Sequence, residues 1–494
     1  MSRRSLIGAG VGGAAALMLG PTLTGCTVNP TTTPGALLPE PGGTGWKQYP
    51  NTFFGNPTFT FPMIEGRTSN ETDTWYVQGK LAGAVTGRNY AFLTIFCKNR
   101  VGGVIKFDFH TFSIFNLDGT DYGTYTAYDT DTFGPTLLSS RSGYLDMSFA
   151  NSTATSSWRT RIDSTNHLIP FAYDLDLKGF DSGGNMMGLV ATMDPQDRPV
   201  AVGGSDYGGI ITMQAQGNTG SYFQTGPAIN GTITYDGVTE PVTGSIGHID
   251  RQFFPYYAGV NAGLNGRNFS HEWRSLHMDD ASTVSIWRQY SRQFRNTVVP
   301  FTGATRFTPS TEVTDFDPTM TETITSYVKY PATFNTFIPP VSPNRYMPSA
   351  HSFEIPGWDL QLSGVPITPV PVHGLPIEYM SGPMNYHGTL GGQPITAFGS
   401  YERSLALYRK WELVEVLRVT VTNLPPSAFQ FGGASLADLL MATDQLGAAF
   451  DANDPSTGNQ IIDTQLSPAV ATLTPGDQPF LVELLADTKV APAS

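Results

Sequence analysis

His248, Asp250, Arg251 and Gln252 are the residues whose types and spacing best suit chemistry. They close the run GTITYDGVTEPVTGSIGHIDRQF, Gly231 to Phe253. The run reads as two β-strands around an Asp-Gly turn, and Val242 to Gly247 between turn and cluster is small and weakly polar. Side chains alternate faces along a strand. His248, Asp250 and Gln252 therefore share one face, and Ile249, Arg251 and Phe253 the other. A histidine and a carboxylate on one face, inside an aromatic-rich β protein, suit acid/base work in a pocket. The same residue types also suit an Asp250–Arg251 ion pair closing a barrel end, and both readings stand at this point.

Further chemistry-bearing residues follow. An aromatic, glycine-rich stretch from Phe253 to Asn268 contains Tyr256 and Tyr257, and His271-Glu272-Trp273, His277 and Asp279-Asp280 come next. In Ser285 to Tyr290, Ile286, Arg288 and Tyr290 would share a face opposite Trp287 and Gln289. Small-molecule pockets are mostly apolar with a few placed polar groups, and this region supplies both. Gln252, Tyr257, Trp273, Trp287 and Tyr290 are the candidate ligand contacts. Core packing accounts for the two tryptophans equally simply. The spacing of His248, His271, His277 and Asp279 fits no familiar metal-ligand pattern, and no metal or cofactor is expected.

The elements that must position these residues are strands. From Trp46 to about Pro425, short aromatic or β-branched runs such as Thr74 to Gly83, Asn89 to Lys98, Val104 to Leu117 and Phe171 to Gly179 alternate between turn residues. That pattern predicts sandwiches or barrels. Helical spacing shows only over Ala434 to Phe450, and the Pro- and Asp-rich remainder reads as irregular. A faint repeat links Gly231 to Arg251 with Gly388 to Arg403: strand, turn, strand, glycine, then an acid beside an arginine. The repeat predicts two similar β-domains, residues 46–243 and 244–425, with an extension over 426–494 carrying one helix. Glu402 and Arg403 are expected, like Arg251, in structural ion pairs.

Composition narrows the function. Charged residues make up 14% of the 494 and the formal net charge is −13, which argues against nucleic acid as a partner. The amino-terminal segment carries Arg3-Arg4, an apolar stretch from Leu6 to Leu19, then Leu23-Thr24-Gly25-Cys26. This is the pattern of an export signal, with a twin-arginine opening and a lipoprotein-type cleavage box. Residues 1–25 are thus expected to be a signal peptide, with Cys26 lipidated. Residues 26–45, rich in Thr, Pro and Gly, would form a flexible linker. The expected location is the cell envelope, facing outward from the cytoplasm, tethered to the membrane by the acyl anchor. The second cysteine, Cys97, lies in a strand-like run and reads as a small buried hydrophobe.

Several motifs resemble those of the carotenoid 1,2-hydratase and AttH-like superfamily. Thr74-Trp75-Tyr76-Val77-Gln78-Gly79, Gly87 to Phe92 and His110 to Leu117 look like the family's early strands. Gly231-Thr-Ile, Val242-Thr-Gly244 and Asp250-Arg251-Gln252 resemble its Gly-Thr strand, Val-x-Gly and Asp-His/Arg-Gln-Trp. Gly388-Thr-Leu to Tyr401-Glu402-Arg403 resembles its closing segment. The likeness covers about residues 72–403. It implies an all-β chain of two tandem lipocalin-like barrel or sandwich domains with a short helical extension, and a site at their junction. The family's flanking tryptophans are replaced by Gly247-His248 and Phe253-Phe254, and its Tyr-Trp-Glu-Gly by Tyr379-Met380-Ser381-Gly382. A fold carries over through such changes, whereas a particular reaction does not.

On the hydratase-like reading, Asp250 is the general acid. Its proton goes to a double bond, aromatic faces such as Trp273 or Trp287 steady the cation, and His248 or His271 orients the water. The expected ligand is a hydrophobic small molecule of isoprenoid, polyketide or lipid-like kind, changed by hydration, hydrolysis or cyclisation. A non-catalytic carrier of such a molecule is the alternative. A carbohydrate-binding β-sandwich is a second, and it predicts aromatics in open rows.

Overall fold

The computed structural model describes residues 36–38, 45–101, 105–212, 218–254, 269–291, 297–331, 342–375 and 377–492. Most strands belong to two large antiparallel sheets. The first is built from β1 (Thr72–Gly83), β2 (Asn89–Val101), β3 (Asp108–Asn116), β4 (Tyr122–Asp129), β5 (Leu138–Ser140), β6 (Asp146–Ala150), β7 (Thr155–Ile162), β8 (Leu168–Phe180), β9 (Met186–Pro195), β10 (Asn218–Thr225), β11 (Pro227–Tyr235) and β12 (Val238–Phe254). Their order is β4-β3-β2-β1-β12-β11-β9-β8-β7-β6-β5, with β10 also paired to β12. The sheet curls until β8 lies against β4, making a nearly closed barrel. Its interior holds Trp75, Val77, Phe92, Phe112, Leu175 and Leu189, all fully or almost fully buried.

The second sheet comprises β13 (Phe269–Met278), β14 (Thr283–Ser291), β15 (Thr297–Thr308), β16 (Val313–Asp317), β17 (Thr321–Ile324), β18 (His351–Ile355), β19 (Leu360–Pro366), β20 (Tyr379–Leu390) and β21 (Gln393–Ser404). The order is β16-β15-β14-β13-β21-β20-β19-β18-β17, a half-barrel. Leu276, Ile286, Phe353, Leu362 and Tyr386 fill its inner face. The outer faces of the two sheets meet in a third core, where Tyr76, Leu93, Ile95 and Phe223 of the first pack with Trp273, Trp287 and Tyr379 of the second. The expected all-β tandem lipocalin-like architecture is therefore present.

Two organisational expectations need correction. The expected boundary at 243/244 falls inside β12, which pairs with strands of the first sheet along its length. The passage between sheets comes after Phe254. Helix α1 (Lys410–Thr422) ends the stretch expected to be all strand, and the extension over 426–494 has several helices rather than one: α2 (Leu436–Asp451), α3 (Pro455–Ile461), α4 (Ser467–Val470) and α5 (Gln478–Val490). Asp454 and Pro455, taken for irregular chain, start α3: the Asp454 side chain accepts from Thr457 N and the proline occupies the first turn, where its missing N–H costs nothing. The β-branched run of α1 is helical because Leu413, Val416, Leu417 and Val421 fall on one buried stripe. That stripe packs with Leu439, Leu446 and Leu481, and burial outweighs propensity differences of a few tenths of a kcal/mol per residue. Among the described residues, no helix is long and apolar enough to cross a membrane.

Candidate functional site

The site is built on the second half of β12. Over Val238 to Ile246 burial roughly alternates, and from Gly247 to Phe254 every residue is buried. The change marks where the strand leaves β11 and pairs with β10 instead, with β1 on its other edge from Val242 onward. A bulge against β1 lies between Thr243 and Ile246. Small residues are needed there: a Cβ on Gly244 would stand 2.2 Å from the Lys80 carbonyl oxygen, and one on Gly247 2.9 Å from that of Gln78. Beyond the bulge both faces of β12 are covered, one by the barrel interior and one by the second sheet.

Asp250 points toward the second sheet and is buried. One carboxylate oxygen, Oδ2, accepts from Gln252 Nε2 at 3.0 Å. The other, Oδ1, has no hydrogen-bond partner among the described residues. Loss of hydration, with the nearby Glu402 adding to it, raises the carboxyl to about 8 against the Gln252 hydrogen bond. A desolvated carboxyl near another negative charge holds its proton through the neutral range. Register neighbours on the same face are Tyr76 on β1 and Phe223 on β10. His248 stacks on Phe223 with ring centroids 5.1 Å apart and meets Trp273 edge-on at 5.2 Å. Burial, then the neighbouring His277, hold the His248 imidazole well below its ordinary value, so it is a neutral ring.

The second sheet presents the matching face. Trp273 meets Tyr76 edge-on at 5.1 Å and donates from Nε1 to Ser285 Oγ at 3.1 Å. Glu402 lies beside Trp273 in the register. Glu402 Oε1 is 2.9 Å from His271 Nε2, and His271 Nδ1 is 3.1 Å from Ser404 Oγ. Burial, and then the nearby Glu402, hold the Tyr379 hydroxyl well above its ordinary value. Gln78 on the first sheet reaches Ser275 on the second. The junction thus holds a neutral acid on one sheet and a His–Glu pair on the other, among aromatic rings.

The two halves of the sequence repeat match in space. In each, the acid faces the junction and the adjacent arginine enters the sheet's own interior. Arg251 pairs with Asp73 at 2.7 Å and lies over the Trp75 ring at 4.2 Å. Arg403 pairs with Glu272. Both arginines therefore stand in buried ion pairs, and the rival Asp250–Arg251 pair does not form, because neighbours on a strand point to opposite faces. Arg288 is likewise on the interior side, with Glu272 and Glu322.

Of the expected site residues, Asp250, Gln252, His248, Trp273, Trp287 and His271 line the junction, and Glu402, expected in a structural ion pair, joins them. Tyr257, the side chain of Tyr290, and Cys26 lie outside the described residues. The sequence reading missed Tyr76, Gln78, Ser275 and Tyr379. Tyr76 and Gln78 were legible as alternate positions of the strand that pairs with the Asp250 strand, had the pairing been known. Cys97 is buried and unbridged, and burial pushes its thiol up. Among the described residues no group of three metal-ligating side chains is gathered. Trp273 and Trp287 are 1% and 2% exposed, so near Asp250 the open aromatic rows of a sugar-binding face are absent.

A cavity of about 500 Å³ opens at one end of the junction, lined by Asp197, His277, Asp279, Thr283 and Phe398 among others. His277 stands 6.2 Å from His248, ring to ring, so the cavity ends one ring away from the polar face of β12.

No family profile and no curated protein matches this sequence. Solved structures do match. A candidate AttH from Nitrosomonas europaea superposes with a TM-score of 0.53 at 16% identity, over 70% of this chain and 96% of the other. Kievitone hydratase from Nectria haematococca superposes with a TM-score of 0.51 at 16% identity, over 75% of this chain and 98% of the other. At such identities the likeness is one of fold, and at that level it agrees with the motif resemblance: this chain has the tandem lipocalin-like fold of the AttH-like proteins.

Proposed function

We propose that the chain is an enzyme that protonates a hydrophobic small molecule at the junction of its two sheets, in the manner of a hydratase. One observation carries the reading: Asp250 is a buried carboxyl that keeps its proton to about pH 8, with Oδ1 unpartnered among the described residues, between aromatic rings. Hydration of an unactivated double bond needs a proton on carbon first, and a carboxylic acid in a dry site is suited to give it. Faces of Trp273, Tyr76 and Phe223 steady the resulting cation. Water then adds to the cation and its spare proton passes to the His271–Glu402 pair. The substrate's body occupies the cavity that ends at His277, whose volume lies in the range of small-molecule sites. The fold shared with kievitone hydratase supports water addition as the reaction class. Export and attachment through a lipid on Cys26 belong to the same proposal, and place the site where envelope lipids and secreted isoprenoids are met.

The test is incubation of the protein with an extracted lipid pool in H₂¹⁸O, followed by mass spectrometry. The expected result is a product carrying one added ¹⁸O-water, absent with Asp250→Asn. Tight binding without any product would replace the enzyme with a carrier.

A further inference from the structure

Between the 500 Å³ cavity and Asp250 lies a second, much smaller one. It measures about 10 Å³ and sits between the sheets, with Gln78, Leu93 and Phe115 from the first and His277, Phe398 and Ser400 from the second. Ile246, His277 and Phe398 line both cavities, so the small one continues the large one inward. A cavity takes up a water when about one probe sphere, ~10–15 Å³, fits inside and two to four polar groups face it. This one has room for a single water.

Three of its lining side chains are polar. Ser400 is 2% exposed, and its Oγ has no hydrogen-bond partner among the described residues. Leaving a buried hydroxyl unpaired is costly, and buried polar atoms without a protein partner are ordinarily met by ordered water. Burial holds the His277 imidazole down to about 4, so the ring is neutral and has one nitrogen to accept and one to donate. Gln78 donates through Nε2 to Ser275 Oγ and accepts from the Tyr76 hydroxyl at 2.9 Å, which leaves its second amide hydrogen for a water.

The strand register fixes the distance to the acid. Gln78 pairs with His248, and two residues along the same strands Tyr76 pairs with Asp250. On β21, Ser400 is two residues from Glu402. Burial first, and then Glu402, hold the Tyr76 hydroxyl well above its ordinary value, and Ser400, Ser381 and Asp250 also act on it. The acid, the His–Glu pair and the wall of the small cavity therefore gather around one side chain. A step of two residues along a strand is ~6.6–6.8 Å. Reacting atoms stand ~3–3.5 Å apart before a bond forms, so a proton donor on one carbon of a double bond and a water on the other are about 7 Å apart. The two lengths agree.

We infer that this cavity holds the water that is added to the substrate, and that Ser400 positions it. What the water does rests on the reading of Asp250 as the acid; where it sits does not. The Asp250 Oδ1–H bond breaks as a C–H bond forms on one alkene carbon. The water oxygen bonds to the other carbon, one water proton passes to the His271–Glu402 pair, and that proton later returns to Asp250. With the water out of place, the cation instead loses a proton to the same pair and leaves as an isomerised alkene.

The test has two readouts on the full chain. In high-resolution crystals of the parent, one ordered water should lie within hydrogen-bond distance of Ser400 Oγ, and Ser400→Ala should lose it. With the extracted lipid pool in H₂¹⁸O and D₂O, Ser400→Ala should lower the ratio of ¹⁸O-hydrated product to deuterium-labelled isomer by about tenfold or more. Ser400→Thr keeps the hydroxyl and should stay close to the parent ratio. Because a ratio is read, a general loss of stability does not imitate the effect. A dry cavity in the parent, a water still in place in Ser400→Ala, or an unchanged ratio in the folded Ser400→Ala protein would overturn the inference. Parent crystals decide the matter if Ser400→Ala fails to fold. A parent that makes no product at all would overturn the acid reading, with the crystals still deciding the water.

Discussion

Replacing Asp250 by Asn separates a proton donor from a structural ion pair. Folded Asp250 titrates near 8, whereas an unfolded aspartate titrates near ~3.9. Between these values the folded chain holds a proton that the unfolded chain has lost. Stability then falls as pH rises, because it rises with pH only where the unfolded state binds more protons. The contribution is fully present below about pH 4 and is lost as pH climbs through about 8. At pH 7 the difference spans roughly three units, and at ~1.36 kcal/mol each this is about 4 kcal/mol. Asparagine has the same shape and no proton to lose, so the variant escapes this penalty. The added amide N–H takes back about 1 kcal/mol if it lacks an acceptor. Denaturant melts should therefore show Asp250→Asn about 1 kcal/mol less stable than the parent at pH 4 and about 3 kcal/mol more stable at pH 7. Turnover should fall by ~10²–10⁴. A loss of ~3–5 kcal/mol at pH 7, the cost of breaking a buried ion pair, would refute the reasoning.

Three further outcomes follow. Asp73→Asn should cost ~3–5 kcal/mol in a denaturant melt, because it leaves Arg251 and Lys98 buried without the carboxylate they share; a loss under ~1 kcal/mol would mean that this pair contributes little. Glu402→Gln should lower the Asp250 titration midpoint by removing a nearby negative charge, read as an alkaline limb of the pH–rate profile moved to lower pH, and an unmoved limb would dissociate the two carboxyls. Cys26→Ala should move the protein from the membrane to the soluble fraction on cell fractionation, and unchanged membrane association would end the lipoprotein proposal.

Much of the fold was legible because strand alternation and turn residues are local signals. The repeated acid–arginine pair located both halves of the junction, and the period of two placed Asp250 with His248 and opposite Arg251. What stayed hidden depended on partners distant in sequence. Arg251 finds Asp73 and Glu402 finds His271 only after strands far apart in the chain pair, so the partners of these charged residues could not be read from their neighbours. Tyr76 and Tyr379 carried no local mark that set them apart from other strand tyrosines. The helices after Lys410 were misread where β-branched residues, proline and aspartate suggested strand or loop. Their burial against one another, together with an Asp-Pro helix start, settled the matter otherwise.

The claim at the centre of this account is that Asp250 is a protonated acid at neutral pH. Carbonyl-region infrared or ¹³Cγ NMR titration of the protein, with Asp250→Asn as the subtraction control, observes that proton directly. The account predicts a carboxylic acid signal that persists through pH 7 and disappears with a midpoint near 8. A carboxylate signal already complete by pH 5 would contradict it.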